Sequence, residues 1–519
     1  MSEEEPGPGT DDKREAAQRF ASGRLLKRNV LVNIGGQVAP LLVALISVPI
    51  AVKGFGTERF GILSLAWALN AYFGVFDLGI GRALTKAVAD RLGRDEPETL
   101  PALVRTALVM VLPIGLAGGL LLAALTPWLA DQWLDMSDAL RGEARQAFWL
   151  IAASVPLTVM IAASRGVLEA HQAFRRINAV RVPMAALTFA GPILVLPFTQ
   201  NLAAAVAVLL LVRMAGLTAF LLMAARIVPG LFAGTGLDAG GRHELLRLGG
   251  WITATNLIAP FVAYIDRFVI GALSGAAAVA YYATPYEILT RVLILPGAMV
   301  GVLFPAFATS SQVDPERTRR LYDRANRLVF LAMILPLAFA SAFALEIMTL
   351  WIDADFAVRS AGVLQFLSFA VFSNGIGYVA FALVQGLGRP DLNAKYSLIE
   401  APIYPFVVWY LVDGWGVEGA AAAWGLRNLV ALSVVVWLAH RISDGEGRQI
   451  RFYLLLYLAA LGWFTSLLLA ADLADRAALF GGGAVLVLLV GYRLLLGDAE
   501  RAMVRGLLSR LAPSRRGGD

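Results

Sequence analysis

Arg105, Arg165, Arg213, Asp266, Arg267, Glu287, Arg291 and Arg427 fall inside long apolar stretches. A charge at membrane depth is expensive and usually faces a cavity or a partner. Arginine stays protonated, and its planar fork matches the oxygens of an anion such as phosphate. Arg165, Arg213, Arg267, Arg291 and Arg427 are therefore candidates for an anion-binding cavity, which would suit a drug cation badly. Asp266 and Glu287 are candidates for ion coupling or charge compensation. Structural readings compete with these. Glu287 and Arg291 are four apart on one helical face and can form an ion pair, and Arg105 and Glu346 can snorkel to an interface. Asp266 and Arg267 are adjacent, so their side chains diverge by about 100° and each should reach another helix.

Other chemistry is missing from the chain. It has no cysteine, which excludes disulfides and thiolate sites. His171, His243 and His440 are far apart, so no metal site is expected. No phosphate-binding G-x-x-x-x-G-K-[ST], H-E-x-x-H or G-x-S-x-G occurs. Gly234-Thr-Gly236 superficially resembles a dinucleotide fingerprint, but no strand pattern precedes it. Asp131, Asp135 and Asp138 share one loop and read as solvated charge. No enzyme activity and no cofactor are expected, with a proton or sodium gradient as the possible energy source.

The elements that carry these residues are membrane helices. The 519 residues are 58% hydrophobic and 16% charged, more apolar surface than a soluble core can hide. Fourteen apolar runs are visible, from 29–52 to 477–496, with 396–412 and 417–439 as separate runs. Helix is the default in lipid, where a lone strand leaves its backbone unpaired. The reading is an all-α membrane protein of about fourteen transmembrane helices, in two pseudo-symmetric six-helix lobes plus two C-terminal helices.

The expected layout is a disordered cytoplasmic N-tail (1–28), an N-lobe (29–226), a cytoplasmic linker (227–248), a C-lobe (249–440), an extra helix pair (441–496) and a basic cytoplasmic C-tail (497–519). Basic residues concentrate in alternate loops, such as Arg82, Lys86, Arg91 and Arg94, then Arg317, Arg319, Arg320, Arg324 and Arg327. The intervening loops hold only Lys53, Arg59, Arg141, Arg145, Arg359 and Arg476. That alternation places both termini in the cytoplasm. The same scatter argues against a nucleic-acid partner.

A short internal repeat supports the two lobes. Gly56 and Gly61, in GFGTERFGILSLAWALNAY, match Gly275 and Ala280, in ALSGAAAVAYYATPYEIL, at the same spacing. Prolines inside several runs (Pro40, Pro49, Pro285, Pro296, Pro402, Pro405) mark bent helices of the kind carriers use.

The stretch from Asn33 to Asp90, with Asn33, Gly56-Thr-Glu-Arg-Phe60-Gly61 and Asp77-Leu78-Gly79, resembles the start of polysaccharide flippases in the multidrug/oligosaccharidyl-lipid/polysaccharide (MOP) exporter superfamily. Asp266-Arg267-Phe-Val-Ile270 followed by Ala280-Tyr281-Tyr282 is similar to a second family pattern, with Ala280 where Gly is usual. The resemblance implies a carrier of undecaprenyl-diphosphate-linked oligosaccharide in the bacterial inner membrane, working by alternating access between two lobes. It implies a diphosphate against the arginines named above, and Asn33, Asp77 and Arg82 as gate or structural residues. Membrane lipids, a polysaccharide polymerase and glycosyltransferases are the implied partners. The first helix has no acid between Asn29 and Val52, which weighs against the multidrug branch. The alternatives are an ion-coupled exporter of small molecules, which would need a carboxylate-dominated cavity, and a lipid II flippase.

Overall fold

The computed structural model describes residues 23–73, 79–234, 236–310, 314–442, 447–497 and 500–502, and leaves out the side chains of 23–38, 248–260, 302, 305, 442 and 447–450. Sixteen α-helices follow one another in the described chain: α1 Gly23–Phe55, α2 Thr57–Phe73, α3 Ile80–Gly93, α4 Leu100–Trp128, α5 Asp138–Ala170, α6 Phe174–Val195, α7 Leu202–Ile227, α8 Ala239–Leu273, α9 Ala276–Leu289, α10 Ile294–Ser310, α11 Pro315–Ala342, α12 Ala344–Trp351, α13 Ala354–Gly386, α14 Pro390–Ile442, α15 Gly447–Leu469 and α16 Leu473–Val490. No strand occurs among the described residues.

Each of the fourteen apolar runs overlaps helix, and the protein is a multi-pass membrane protein. By length and hydropathy ten described helical stretches can cross a membrane, and Ala39–Phe55 is a shorter apolar stretch within α1. The expected fourteen is not reached by this measure. One reason is α14, a single element covering two of the runs, with a break at Gly416 (φ 58°, ψ −136°) that only glycine adopts readily. Another is α2, which has only 17 residues.

The described chain divides into two compact units. The first holds residues up to Arg59, Ala66–Trp133 and Ser137–Pro260; the second holds Phe60–Leu65, Leu134–Met136 and the chain from Phe261 onward. The division falls inside α8, and residues 239–248, read from sequence as linker, are already helical.

Within the first unit, α4 and α5 approach closely because α4 carries glycine where they meet. A Cβ on Gly115 would lie 2.6 Å from Pro156 Cα, and one on Gly119 would lie 2.7 Å from the Ala152 carbonyl oxygen. Between lipid-embedded helices such close packing replaces the hydrophobic drive that water would supply. Glu143 on α5 ties two further helices. It accepts from Arg59 of α2 at 3.0 and 2.9 Å and from the Leu202 backbone N–H at the start of α7 at 3.0 Å. Arg105, instead of snorkelling, donates to the carbonyls of Gly230, Leu231 and Gly236 and staples the loop before α8.

The repeated glycines share a backbone role. Gly56 before α2 has φ 82° and Gly275 before α9 has φ 89°, both in the positive-φ region that glycine enters without strain. In the second unit, Gly61 lets α2 meet the start of α9 directly: a Cβ there would fall 1.7 Å from the Ala276 carbonyl oxygen. At the other end of this unit Arg476 of α16 pairs with Glu346 at 2.9 Å and donates to the Ala342 carbonyl, so Glu346 is an ion-pair partner rather than a snorkelling acid.

Candidate functional site

Among the described residues each unit holds a cluster of charge within its apolar helices, and their charge balance differs.

In the first unit, α2, α5, α6 and α7 line a cavity of about 280 Å³ that includes Asn70, Thr158, Arg165, Arg181, Thr188 and Arg213. Arg213 donates to the Thr158 hydroxyl at 2.8 Å. Thr158 also donates back to the Ser154 carbonyl one turn earlier, which fixes its rotamer as an acceptor for Arg213. Among the described residues Arg213 forms no ion pair. Arg165 pairs with Glu169, one turn away, at 3.0 Å, and both are partly exposed. Such a pair contributes about 0–1 kcal/mol, so Arg165 can exchange partner at small cost. Arg181 is exposed on the second turn of α6 and lines the same cavity. Among the described residues, three guanidinium groups thus share one cavity with a single paired carboxylate, Glu169.

In the second unit, Asp266 and Arg267 diverge as their adjacency predicts. Asp266 is fully buried; it accepts from the Tyr282 hydroxyl of α9 and, at 2.7 Å, from the Arg267 backbone N–H. Arg267, 2% exposed, reaches Glu287 of α9 at 3.2 Å and lies over the rings of Tyr286 (4.6 Å) and Tyr264 (5.2 Å). Glu287 is shared, since Arg291 meets its other oxygen at 2.9 Å. Arg291 sits on a short 3₁₀ turn, Thr290–Leu293, between α9 and α10. A 3₁₀ interruption of this kind often marks a hinge, and here Pro285 and Pro296 flank it. Arg427 pairs with Glu400 at 3.1 Å and stacks over Tyr404 at 5.1 Å. Both residues lie on α14, on opposite sides of the Gly416 break. Three carboxylates here face three guanidinium groups.

The structure therefore divides the five arginines named from sequence. Arg165 and Arg213 share the first cavity, whereas Arg267, Arg291 and Arg427 are in ion pairs of the second cluster. Arg82 is exposed on α3. Asp77 lies outside the described residues, and Asn33 is on α1 with its side chain outside them. Sequence reading gave no role to Arg181, Thr158, Asn70 or Tyr404, named Tyr282 only within a family pattern, and did not foresee the partnership of Glu400. For Arg181 the available signal was its place as the third residue of the apolar run 179–198. Nothing comparable pointed to Thr158, because a hydroxyl in a membrane helix usually satisfies itself on its own backbone. Of the acidic loop residues, Asp135 and Asp138 are exposed as expected, with Asp138 also 3.1 Å from Arg141, whereas Asp131 is half-buried and binds Arg145 at 2.7 Å. Among the described residues no group of His, Cys, Asp and Glu could hold a metal ion.

A family profile described as "Polysaccharide biosynthesis protein" matches residues 26–311. A Shigella flexneri protein whose name assigns it to O-antigen transport is 25% identical over 425 residues, which is 80% of this chain and 98% of that protein. Among solved structures, an inward-facing multidrug resistance MATE family transporter of the MOP superfamily superposes with a TM-score of 0.67 at 16% identity, covering 79% of this chain and 98% of that one. The lipid II flippase MurJ in an inward closed conformation superposes with a TM-score of 0.66 at 11% identity, covering 92% and 99%. At these identities the two superpositions show the fold alone.

Proposed function

The chain belongs to the polysaccharide biosynthesis protein family, and from that footing we propose that it carries a lipid-linked oligosaccharide across the bacterial inner membrane, with both termini in the cytoplasm. The similarity to an O-antigen transporter over nearly its whole length supports the glycan class of the cargo.

The single observation that carries the chemistry is the arginine excess of the first-unit cavity, where among the described residues Arg165, Arg181 and Arg213 have one carboxylate partner, Glu169 on Arg165. A diphosphate linker between lipid and sugar is the part of such a cargo that needs those charges. Guanidinium forks bind it through charge-assisted hydrogen bonds that are roughly twice as strong as neutral ones. The lipid tail can stay in the bilayer while the headgroup moves. The same excess disfavours a cation exporter, which would place carboxylates there. Energy comes from an ion gradient, with Asp266 and Glu287 as coupling or balancing groups. Membrane lipids surround the protein, and the polymerase and glycosyltransferases that use or supply the glycan are its proposed partners.

The test is a leaflet-translocation assay. Purified protein is placed in liposomes containing undecaprenyl-diphosphate oligosaccharide, and glycan accessibility is followed under an imposed ion gradient. Protein-dependent movement supports the reading. Its absence with several glycans, together with transport of a fluorescent drug cation, would overturn it.

A further inference from the structure

We infer that Asn70 is the residue by which the first-unit cavity tells a lipid diphosphate that carries a sugar from the same lipid with a bare diphosphate: its carboxamide hydrogen-bonds the sugar next to the phosphates. This rests on the carrier reading above and adds a selectivity to it.

The first observation is that the Asn70 side chain is buried without a partner. Five asparagines are buried among the described residues: Asn70, Asn178, Asn326, Asn393 and Asn428. The other four are engaged. Asn326 donates to the Tyr322 carbonyl at 3.0 Å, Asn393 to the Phe381 carbonyl at 3.3 Å and Asn428 to the Trp424 carbonyl at 2.8 Å, and Asn178 has an interaction of its own. Asn70, 6% exposed on α2, makes no side-chain hydrogen bond among the described residues. An amide buried in this way is costly unless something pairs with it. In a membrane helix it ordinarily reaches a neighbouring helix.

The second observation is where this side chain lies. Asn70 lines the cavity that holds Arg165, Arg181 and Arg213. Its carboxamide is not among the polar groups sealed inside packed protein, so it opens on that cavity. The hydroxyls beside it are spent. Thr158 accepts from Arg213 and donates to the Ser154 carbonyl, and Thr188 donates to the Met184 carbonyl at 2.9 Å. Asn70 is the neutral lining group with both a donor and an acceptor open.

The chemistry of an amide fits the sugar and not the phosphates. An ionised diphosphate only accepts hydrogen bonds, and the guanidinium groups already supply donors for it. The Asn70 carbonyl oxygen needs a donor. A sugar hydroxyl donates to that oxygen and accepts from the amide nitrogen. The cavity, about 280 Å³, lies below the roughly 300–1,000 Å³ of pockets that take drug-sized molecules. It therefore takes the phosphates and the group bonded to them, and not a whole oligosaccharide.

A carrier of this kind needs such a group. Any transfer that removes the glycan leaves the same lipid with a bare diphosphate. The terminal phosphate then has a further ionisable oxygen in place of its bond to sugar, so arginines alone hold the bare lipid at least as tightly. Charge cannot select the laden lipid. A neutral group that requires a donor can, because the bare lipid leaves it unpaired.

The experiment is titration calorimetry on the reconstituted full chain with two kinds of lipid. One is undecaprenyl diphosphate; the other is undecaprenyl diphosphate carrying a single glucose, galactose or N-acetylglucosamine. For at least one of the three sugars, Asn70→Leu is expected to weaken binding roughly threefold to tenfold, the loss of one neutral hydrogen bond, and to leave the bare lipid within about twofold of wild type. Its Tm should match or exceed the wild type, because an apolar side chain replaces an unpartnered amide. Asn70→Asp is expected to weaken both kinds of lipid, since a carboxylate there pairs with the guanidinium groups. Should Asn70→Leu fail to fold, Asn70→Ala carries the same comparison. Equal losses for bare and sugar-bearing lipid in the neutral variant, no loss for any sugar, a Tm well below wild type in both neutral variants, or unchanged binding in Asn70→Asp each overturns the proposal and leaves the carrier reading standing. If the wild type binds neither kind of lipid, the carrier reading falls and the proposal with it.

Discussion

The Arg213 guanidinium donates to the Thr158 hydroxyl at 2.8 Å, from α7 to α5, and pairs with no carboxylate among the described residues. A half-buried cation satisfied by a neutral hydroxyl alone keeps most of its charge available. That sets it apart from Arg267, Arg291 and Arg427, each of which has a carboxylate partner.

Glu169 competes with substrate for Arg165. Glu169→Gln should tighten binding of an undecaprenyl-diphosphate headgroup by roughly threefold to tenfold, the equivalent of removing a pair that contributes about 1 kcal/mol. Arg165→Ala should weaken binding less than Arg213→Ala, because Arg165 is already half-neutralised. Arg213→Lys should restore only part of the loss, since it keeps charge but not the fork. Titration calorimetry on reconstituted protein would check all four variants. Equal losses from Arg165→Ala and Arg213→Ala would contradict the assignment.

In the second unit the sign of each effect follows burial. Glu287→Gln leaves Arg267, 2% exposed, without its carboxylate, which should cost about 3–5 kcal/mol of stability. Arg291→Ala removes the partly exposed end of the same pair and should cost about 1 kcal/mol or less. Thermal unfolding in detergent should show a large drop in Tm for the first and a small one for the second.

Gly61→Val should be poorly tolerated. Even a Cβ would fall on the Ala276 carbonyl, which is backbone and cannot swing aside, so α2 and α9 must separate at a cost of about 1–3 kcal/mol or more. Gly462→Ala, where nothing lies within 4 Å, should be neutral or stabilising. Expression and Tm of the two variants make the comparison.

A pH effect is expected in the loop before α8. Burial pushes the Asp238 carboxyl up, but the Gly241 N–H and the Arg91 guanidinium outweigh it and hold the group below its usual value. A depressed folded value means the stabilisation is fully present above the unfolded value of about 3.9 and is lost as pH falls through the folded one. Asp238→Asn should therefore flatten the acid limb of the stability curve below about pH 4 and leave its neutral part parallel to the wild type.

Much of this was legible in the sequence because lipid allows few answers. Long apolar runs must be helices, and a charge inside one must find a partner. That logic identified Arg213, the divergence of Asp266 from Arg267, and the Glu287–Arg291 pairing. The matching glycines at 56 and 275 were visible as a repeat because a positive φ at each helix start demands the same residue twice. Partners contributed by distant helices were not legible. Glu400 and Arg427 are 27 residues apart and meet across the Gly416 break, which no periodicity reveals. Arg181 looked like one more basic residue at a helix start. Only the packing of α6 beside α5 and α7 puts it in the cavity of Arg213.

The most direct measurement is lipid translocation by Arg213→Ala in liposomes carrying undecaprenyl-diphosphate oligosaccharide, with insertion and folding matched to the wild type. The account predicts that the variant inserts, folds and moves almost no glycan between leaflets. Movement at the wild-type rate would contradict it and remove the first-unit cavity as the anion site.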